Sequence, residues 1–290
     1  MFRRFRLVLA LGLLALSSAT VSAQTFMTPR PSPGAMIKQT VGLTDLSVTY
    51  SRPGVKGRAI WGALVPYGEP WRTGANEATT FTCSDAIQVE GQPLAAGTYA
   101  LLTIPTADAW TIVFSTQKEM WGAYDYDAKH DVLRVTVKPV AAEMSERMTF
   151  SFDDPGTSAT TLTLRWEKLA VPVRLTVDTD GKTLASARTA VAAAKADDWR
   201  TPYRAASWAF DSGLAADEAA TWAGTSNARK ANYQTTGLLA RMAAKRGDTA
   251  NAVTLMRKAI AFGEADSTIG KEQLDGSRKL LQEWTPAKKK

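Results

Sequence analysis

At 290 residues, with 45% hydrophobic and 22% charged side chains, the chain has the composition of a folded protein able to bury a core without staples. A single cysteine, Cys83, excludes an internal disulfide, and a single histidine, His130, excludes a zinc site built on two histidines. The net charge of +7 does not make a nucleic-acid-binding surface: residues 1–23 carry three arginines and no acid, so losing them leaves +4, part of it in Lys288-Lys289-Lys290.

Taken in order, Arg3, Arg4 and Arg6 precede an apolar run from Leu7 to Leu16 and the small-residue sequence Val21-Ser22-Ala23. This predicts a secretory signal peptide over residues 1–23, cleaved after Ala23. The apolar run is shorter than the roughly 20 residues a membrane span needs. Cys83 is too far from the cleavage point to carry a lipid anchor, and no later segment is apolar enough to cross a bilayer. The expected address is the periplasm or the exterior. Pro29, Pro31 and Pro33 make residues 24–34 an extended leader with little fixed structure.

From Ala35 the chain reads as strands. Val41–Tyr50, Thr79–Glu90, Gly97–Ile104, Trp110–Ser115, Val132–Val137, Arg147–Asp153, Ala159–Glu167 and Val171–Val177 are rich in Thr, Val, Leu and aromatic residues. Turn clusters such as Gly91-Gln-Pro93 and Asp153-Asp-Pro-Gly156 separate them. Many short strands with no helix among them predict an antiparallel β-sandwich or barrel over residues 35–178.

After Asp178-Thr-Asp-Gly181, taken as the domain boundary, alanine dominates and apolar residues recur at helical spacing, as in Leu184, Ala187, Val191 and Ala194. Helices are expected at about 184–195, 199–212, 217–223, 229–246, 249–262 and 267–284. Leu239-Ala240, Gly247-Asp248, Ala252, Met256 and Ala259 fall at the spacing of a tetratricopeptide helix pair near 229–262, with residues 199–223 as a more degenerate pair. The fold class is thus α+β: a β-sandwich or barrel, then a bundle of α-hairpins over 182–290.

The stretch from Leu64 to Thr80 concentrates prolines, glycines, aromatics and the trio Arg72, Asn76 and Glu77 between strands. Two readings stand. In one, Gly74 takes a left-handed turn, Asn76 caps it and Arg72 pairs with Glu77 in a self-satisfied corner. In the other, Arg72 offers a planar donor fork to a carboxylate or phosphate, and Trp71 a flat face to a ring. Upstream, Arg52, Lys56 and Arg58 surround a Pro-Gly turn. Downstream, Trp121, Tyr124 and Tyr126 share a loop with Asp125, Asp127 and Asp131. The three aspartates fall at positions one, three and seven of a calcium loop, but His130 stands where glycine is needed and the closing glutamate is missing, so no metal is expected.

Five ordered motifs carry a resemblance: Tyr50-Ser-Arg-Pro-Gly-Val-Lys-Gly-Arg58, Leu64-Val-Pro-Tyr-Gly68, Trp71-Arg-Thr-Gly-Ala-Asn-Glu-Ala-Thr79, Ala96-Gly-Thr-Tyr99 and Trp121-Gly-Ala-Tyr-Asp-Tyr126. Over about residues 30–175 the chain resembles the DUF2911 family, exported bacterial proteins of unknown function. The resemblance implies that the β region is one family domain with these motifs as its common core. It supplies neither reaction nor ligand.

The leading functional expectation is an exported, non-catalytic module that binds a small polar or anionic ligand, a glycan fragment or a peptide carboxylate. Arg52, Lys56, Arg58 and Arg72 would donate, Asn76 and Glu77 would orient, and Trp71, Tyr99, Trp121 and Tyr124 would form apolar walls. One alternative is a hydrolase pairing Glu77 with His130 or an aspartate. Another is an interaction scaffold that docks a protein partner on the helical tail. The sequence holds no nucleotide-binding glycine pattern and no nucleophile elbow, so no cofactor is expected.

Overall fold

The computed structural model describes residues 28–285; the expected signal peptide, with its cleavage point, lies outside the described residues. Ten strands come first: β1 (Gly34–Val41), β2 (Thr44–Ser51), β3 (Thr80–Cys83), β4 (Ile87–Val89), β5 (Gln92–Leu94), β6 (Gly97–Pro105), β7 (Trp110–Ser115), β8 (Asp131–Val137), β9 (Val140–Asp153) and β10 (Ala159–Val177). They form two antiparallel sheets, one in the order β1-β2-β3-β6-β7-β8 and the other β5-β4-β10-β9. Inward-facing side chains of both sheets make one apolar core. At its centre Trp61, Trp71, Trp110 and Trp166 pack together, with Trp71 and Trp166 stacked at 5.8 Å and Trp61 meeting Trp110 edge-on at 4.9 Å.

Three departures from the sequence reading have physical causes. The expected strand Thr79–Glu90 is two strands, β3 and β4, because the chain crosses from one sheet to the other at Ser84–Ala86. The two strands expected at 159–167 and 171–177 are the single strand β10. Its side chains in the main apolar core are Leu162, Leu164 and Trp166, then Val171, Val173, Leu175 and Val177. A bulge at Glu167, whose φ is +56°, moves the inward face from even to odd residues and hides the continuity. Finally, the residues ahead of β1 are tied down: Arg52 N–H donates to Pro33 O at 2.9 Å and an Arg147 side-chain nitrogen to Pro31 O at 2.8 Å.

Six helices follow: α1 (Thr179–Ala193), α2 (Arg200–Ser212), α3 (Ala216–Arg229), α4 (Tyr233–Lys245), α5 (Thr249–Glu264) and α6 (Lys271–Trp284). The expected boundary at Asp178–Gly181 is the first turn of α1, since the Asp178 carboxylate accepts from Gly181 N–H at 2.9 Å as its N-cap. Asn232 starts α4 with a reciprocal capping box through Thr235, later than the expected Arg229. The helix pairs α2/α3 and α4/α5 pack through small side chains, Ala206, Ala209 and Ala223 in one cluster and Ala240 and Ala259 in another. Among the described residues no helix is long and apolar enough to cross a membrane.

Candidate functional site

The segment Trp71–Thr79 lies beside β6 as an irregular continuation of β3. Trp71 exchanges both backbone hydrogen bonds with Thr103, at 2.8 and 2.9 Å, and Thr79 O accepts from Leu101 N–H. This pairing turns Trp71 into the core, where it is 9% exposed, so it is core packing rather than a ligand wall. Thr73 and Asn76, with φ of +56° and +58°, take the left-handed turns that the sequence assigned to Gly74. Gly74 serves another need: a Cβ there would sit 3.0 Å from Thr79 Oγ1 and 3.1 Å from Ser51 O. A β-branched residue such as Thr73 rarely adopts positive φ, and holding it there costs of order 1–3 kcal/mol. Two buried hydrogen bonds hold it in place, from Thr73 Oγ1 to Thr103 Oγ1 at 3.2 Å and from Thr79 Oγ1 to Thr73 O at 2.7 Å.

On the opposite face of the same sheet, Ala100, Leu102 and Val113 are covered by Met120, Ala123 and Tyr126. The loop between β7 and β8 thus folds over the outside of the sandwich and makes a second small core. Gln117 stitches this loop to itself through Asp125 O at 2.8 Å and Asp127 N–H at 3.1 Å. Ala78 N–H donates to Met120 O at 3.1 Å, and Glu77 bridges Trp121. The two sequence-distant motifs therefore meet. Trp121 and Tyr124 remain open to solvent, at 64% and 91% exposure. The Tyr124 ring lies against the Cα of Gly122, where a Cβ would come within 2.6 Å of it.

Arg72 sits at this junction. It does not make the pairing with Glu77 that the sequence allowed, because Glu77 is taken by Arg30 at 2.7 and 2.9 Å. Among the described residues the Arg72 side chain donates to no acceptor and pairs with no acid, and its Nε is buried without a partner. Burial pushes its pKa below the usual arginine value, opposed by the nearby Tyr124 phenol. The side chain is half-buried, so part of it stays in water.

The other candidates are committed elsewhere. Arg52 donates to Met148 O at 2.9 Å and Thr149 Oγ1 at 2.6 Å, and Arg58 to Val55 O and Gly54 O at 3.0 and 2.5 Å. Lys56 is exposed, with its backbone N–H on Glu146 Oε1 at 3.0 Å. Their loop is bound to β9 through Gly54–Arg147 and Val55–Glu146, and no hydrogen bond or ion pair joins it to Arg72 among the described residues. The Asn76 amide donates to Ser32 O and Ser51 Oγ, which makes it a pin for the leader. Tyr99 is 8% exposed and bonds Ala95 O inside the sandwich.

The hydrolase pairing finds no geometry. The Glu77 carboxyl is held below its ordinary pKa by its own backbone N–H and by Arg30, the opposite of what a general acid needs. His130 is exposed in a short 3-10 turn, and its carbonyl accepts from Ser115 and Thr116. Asp127 caps that turn and Asp131 holds Tyr126 and Arg134, so the three aspartates do not converge. Sequence reasoning missed Arg30, whose partner lies 47 residues away and leaves no local signal.

A family model described as "Protein of unknown function (DUF2911)" matches residues 32–175. No curated protein and no solved structure matches the chain.

Proposed function

We propose, from the premise that residues 32–175 belong to the DUF2911 family of proteins of unknown function, that this β region is a binding module for a small carboxylated ligand such as a sugar acid. Arg72 is the anchor, and Trp121 and Tyr124 are the flat walls against which a ring lies. One observation carries the reading: Arg72 is a half-buried guanidinium without an acceptor among the described residues, near the exposed Tyr124, in a segment whose Glu77 bridges the exposed Trp121. Other arginines of the sandwich, such as Arg52, Arg58 and Arg147, spend their donors on backbone carbonyls.

The chemistry follows from that contrast. A guanidinium presents a planar fork matched to a carboxylate, and such charge-assisted pairs are about twice as strong as neutral hydrogen bonds. Partial burial raises the interaction further, because the charge has already lost some water before the ligand arrives. Left-handed Thr73, directly after Arg72, shows that the backbone here is constrained at a cost. The signal-like first 23 residues support an exported address, where such a ligand would be met.

Thermal unfolding of the full chain with glucuronate tests the reading. The wild type should gain several degrees at millimolar glucuronate, with neutral glucose giving less. Arg72→Met should lose the gain while its unliganded melting temperature stays within a few degrees, since no internal partner is removed. Equal stabilisation of both proteins, or a collapse of the unliganded variant, would assign Arg72 to the scaffold.

A further inference from the structure

Several cavities lie on the helices rather than the sandwich, and one combines an apolar lining with two cations at its edge. It is about 330 Å³ and is walled by the end of α2, the start of α3 and the end of α4. Leu214, Ala220 and Met242 supply apolar lining, Phe210 stands at its side, and Lys245 and Arg246 complete it. Gly213 and Ala215, both left-handed at φ +72° and +47°, wind the α2–α3 connection so that Leu214 N–H closes on Ala209 O at 2.9 Å. That winding is what leaves room between the three helix ends.

The charges are asymmetric. Lys245 and Arg246 are exposed, and among the described residues their side chains make no ion pair or hydrogen bond. The Lys245 ammonium lies 4.9 Å from the Phe210 ring centroid, which fixes it over the apolar wall. Asp217 also reaches the lining, but it pairs with neither cation. The carbonyl end of α4 favours positive charge at this position, so both cations are stable there without an acid.

A small, mostly apolar cavity with a cationic rim complements an apolar body carrying one anionic head. We propose that this cavity binds a medium-chain fatty acid, its carboxylate on Lys245 and Arg246 and its chain over Leu214, Ala220 and Met242. The volume is at the lower end of the roughly 300–1,000 Å³ typical of ligand cavities, which suits a chain of modest length. Nothing in this inference rests on Arg72.

Calorimetric titration of the full chain with decanoate tests it. The wild type should bind one equivalent saturably. The double variant Lys245→Ala/Arg246→Ala should weaken binding at least tenfold, and Ala220→Leu, which fills the cavity from a half-exposed helical position, should abolish it. Arg72→Met should bind decanoate like the wild type, which separates this site from the one on the sandwich. Circular dichroism establishes that each variant is folded. Unsaturable uptake, equal binding of decanol, unchanged affinity in Ala220→Leu, or loss of binding in Arg72→Met would each overturn the assignment.

Discussion

Two side chains, Arg72 in the segment ahead of β3 and Tyr126 on the loop between β7 and β8, show how one half-buried charge can be left open while a neutral group is locked in place. Among the described residues the Arg72 side chain has no acceptor, whereas the Tyr126 hydroxyl donates to Asp131 Oδ2 at 2.6 Å and accepts from Arg134 at 2.5 Å. Burial, followed by the Asp131 hydrogen bond, pushes the Tyr126 phenol up from 10.0 to about 12. The consequence has a definite sign. Below pH 10 the phenol is protonated in both folded and unfolded chains, and its contribution to stability is complete. Between pH 10 and about 12 the unfolded chain releases the proton and the folded one keeps it, so stability falls as pH rises. Urea unfolding across that range should show a steeper loss in the wild type than in Tyr126→Phe, which lacks the titrating group. Parallel curves would mean that the phenol is not held by its neighbours. Tyr126 also belongs to the small outer core that seats the loop, so the same bond orders the platform carrying Trp121 and Tyr124.

At the scale of elements, the joint between the sandwich and α1 depends on one glycine. Gly42 forms the tight turn between β1 and β2 at φ +57°, and a Cβ there would meet Thr179 Oγ1 at 1.8 Å and Thr157 O at 2.5 Å. Backbone strain and a collision with a carbonyl act together, so Gly42→Ala should cost about 1–3 kcal/mol in chemical unfolding. A loss below about 0.5 kcal/mol, within the range of an ordinary surface change, would show that the turn yields easily. This joint also shows what sequence patterns can and cannot reveal. The periodicity of Leu184, Ala187 and Val191 announced α1, and these residues do face the helical cluster. Its true start was hidden because Asp178, a good N-cap, looks the same as a turn residue until its partner Gly181 is seen. Strand β1 was missed because most of its side chains are exposed or half-buried, leaving weak alternation. In the site, the sequence supplied the residue types and the two motifs that meet. It could not show that Glu77 belongs to Arg30 or that Trp71 points inward, since both depend on pairings 47 and 32 residues away.

The molecule as a whole has apolar cores that do not mix. The main sandwich core draws on residues from Ala35 to Val177, whereas the helical clusters draw on Leu184 to Trp284. What crosses the joint is polar: Lys182 Nζ reaches Leu43 O at 2.8 Å and Asp85 at 2.5 Å, and Thr179 Oγ1 donates to Thr157 O at 2.6 Å. The Lys182–Asp85 pair is about one-third exposed on each side, and pairs of that kind are worth about 0–1 kcal/mol. A fragment ending at Asp178 would keep every buried residue of its own core and lose only these ties. For a domain of about 150 residues, 1 kcal/mol corresponds to a melting shift of about 2–4 °C. The fragment 28–178 should therefore unfold cooperatively within roughly that interval of the sandwich transition in the full chain. It should also keep its glucuronate response and have none to decanoate. A fragment that aggregates or melts without cooperativity would show that the helices complete the sandwich, and the two proposed sites would then have to be treated as parts of one cooperative body.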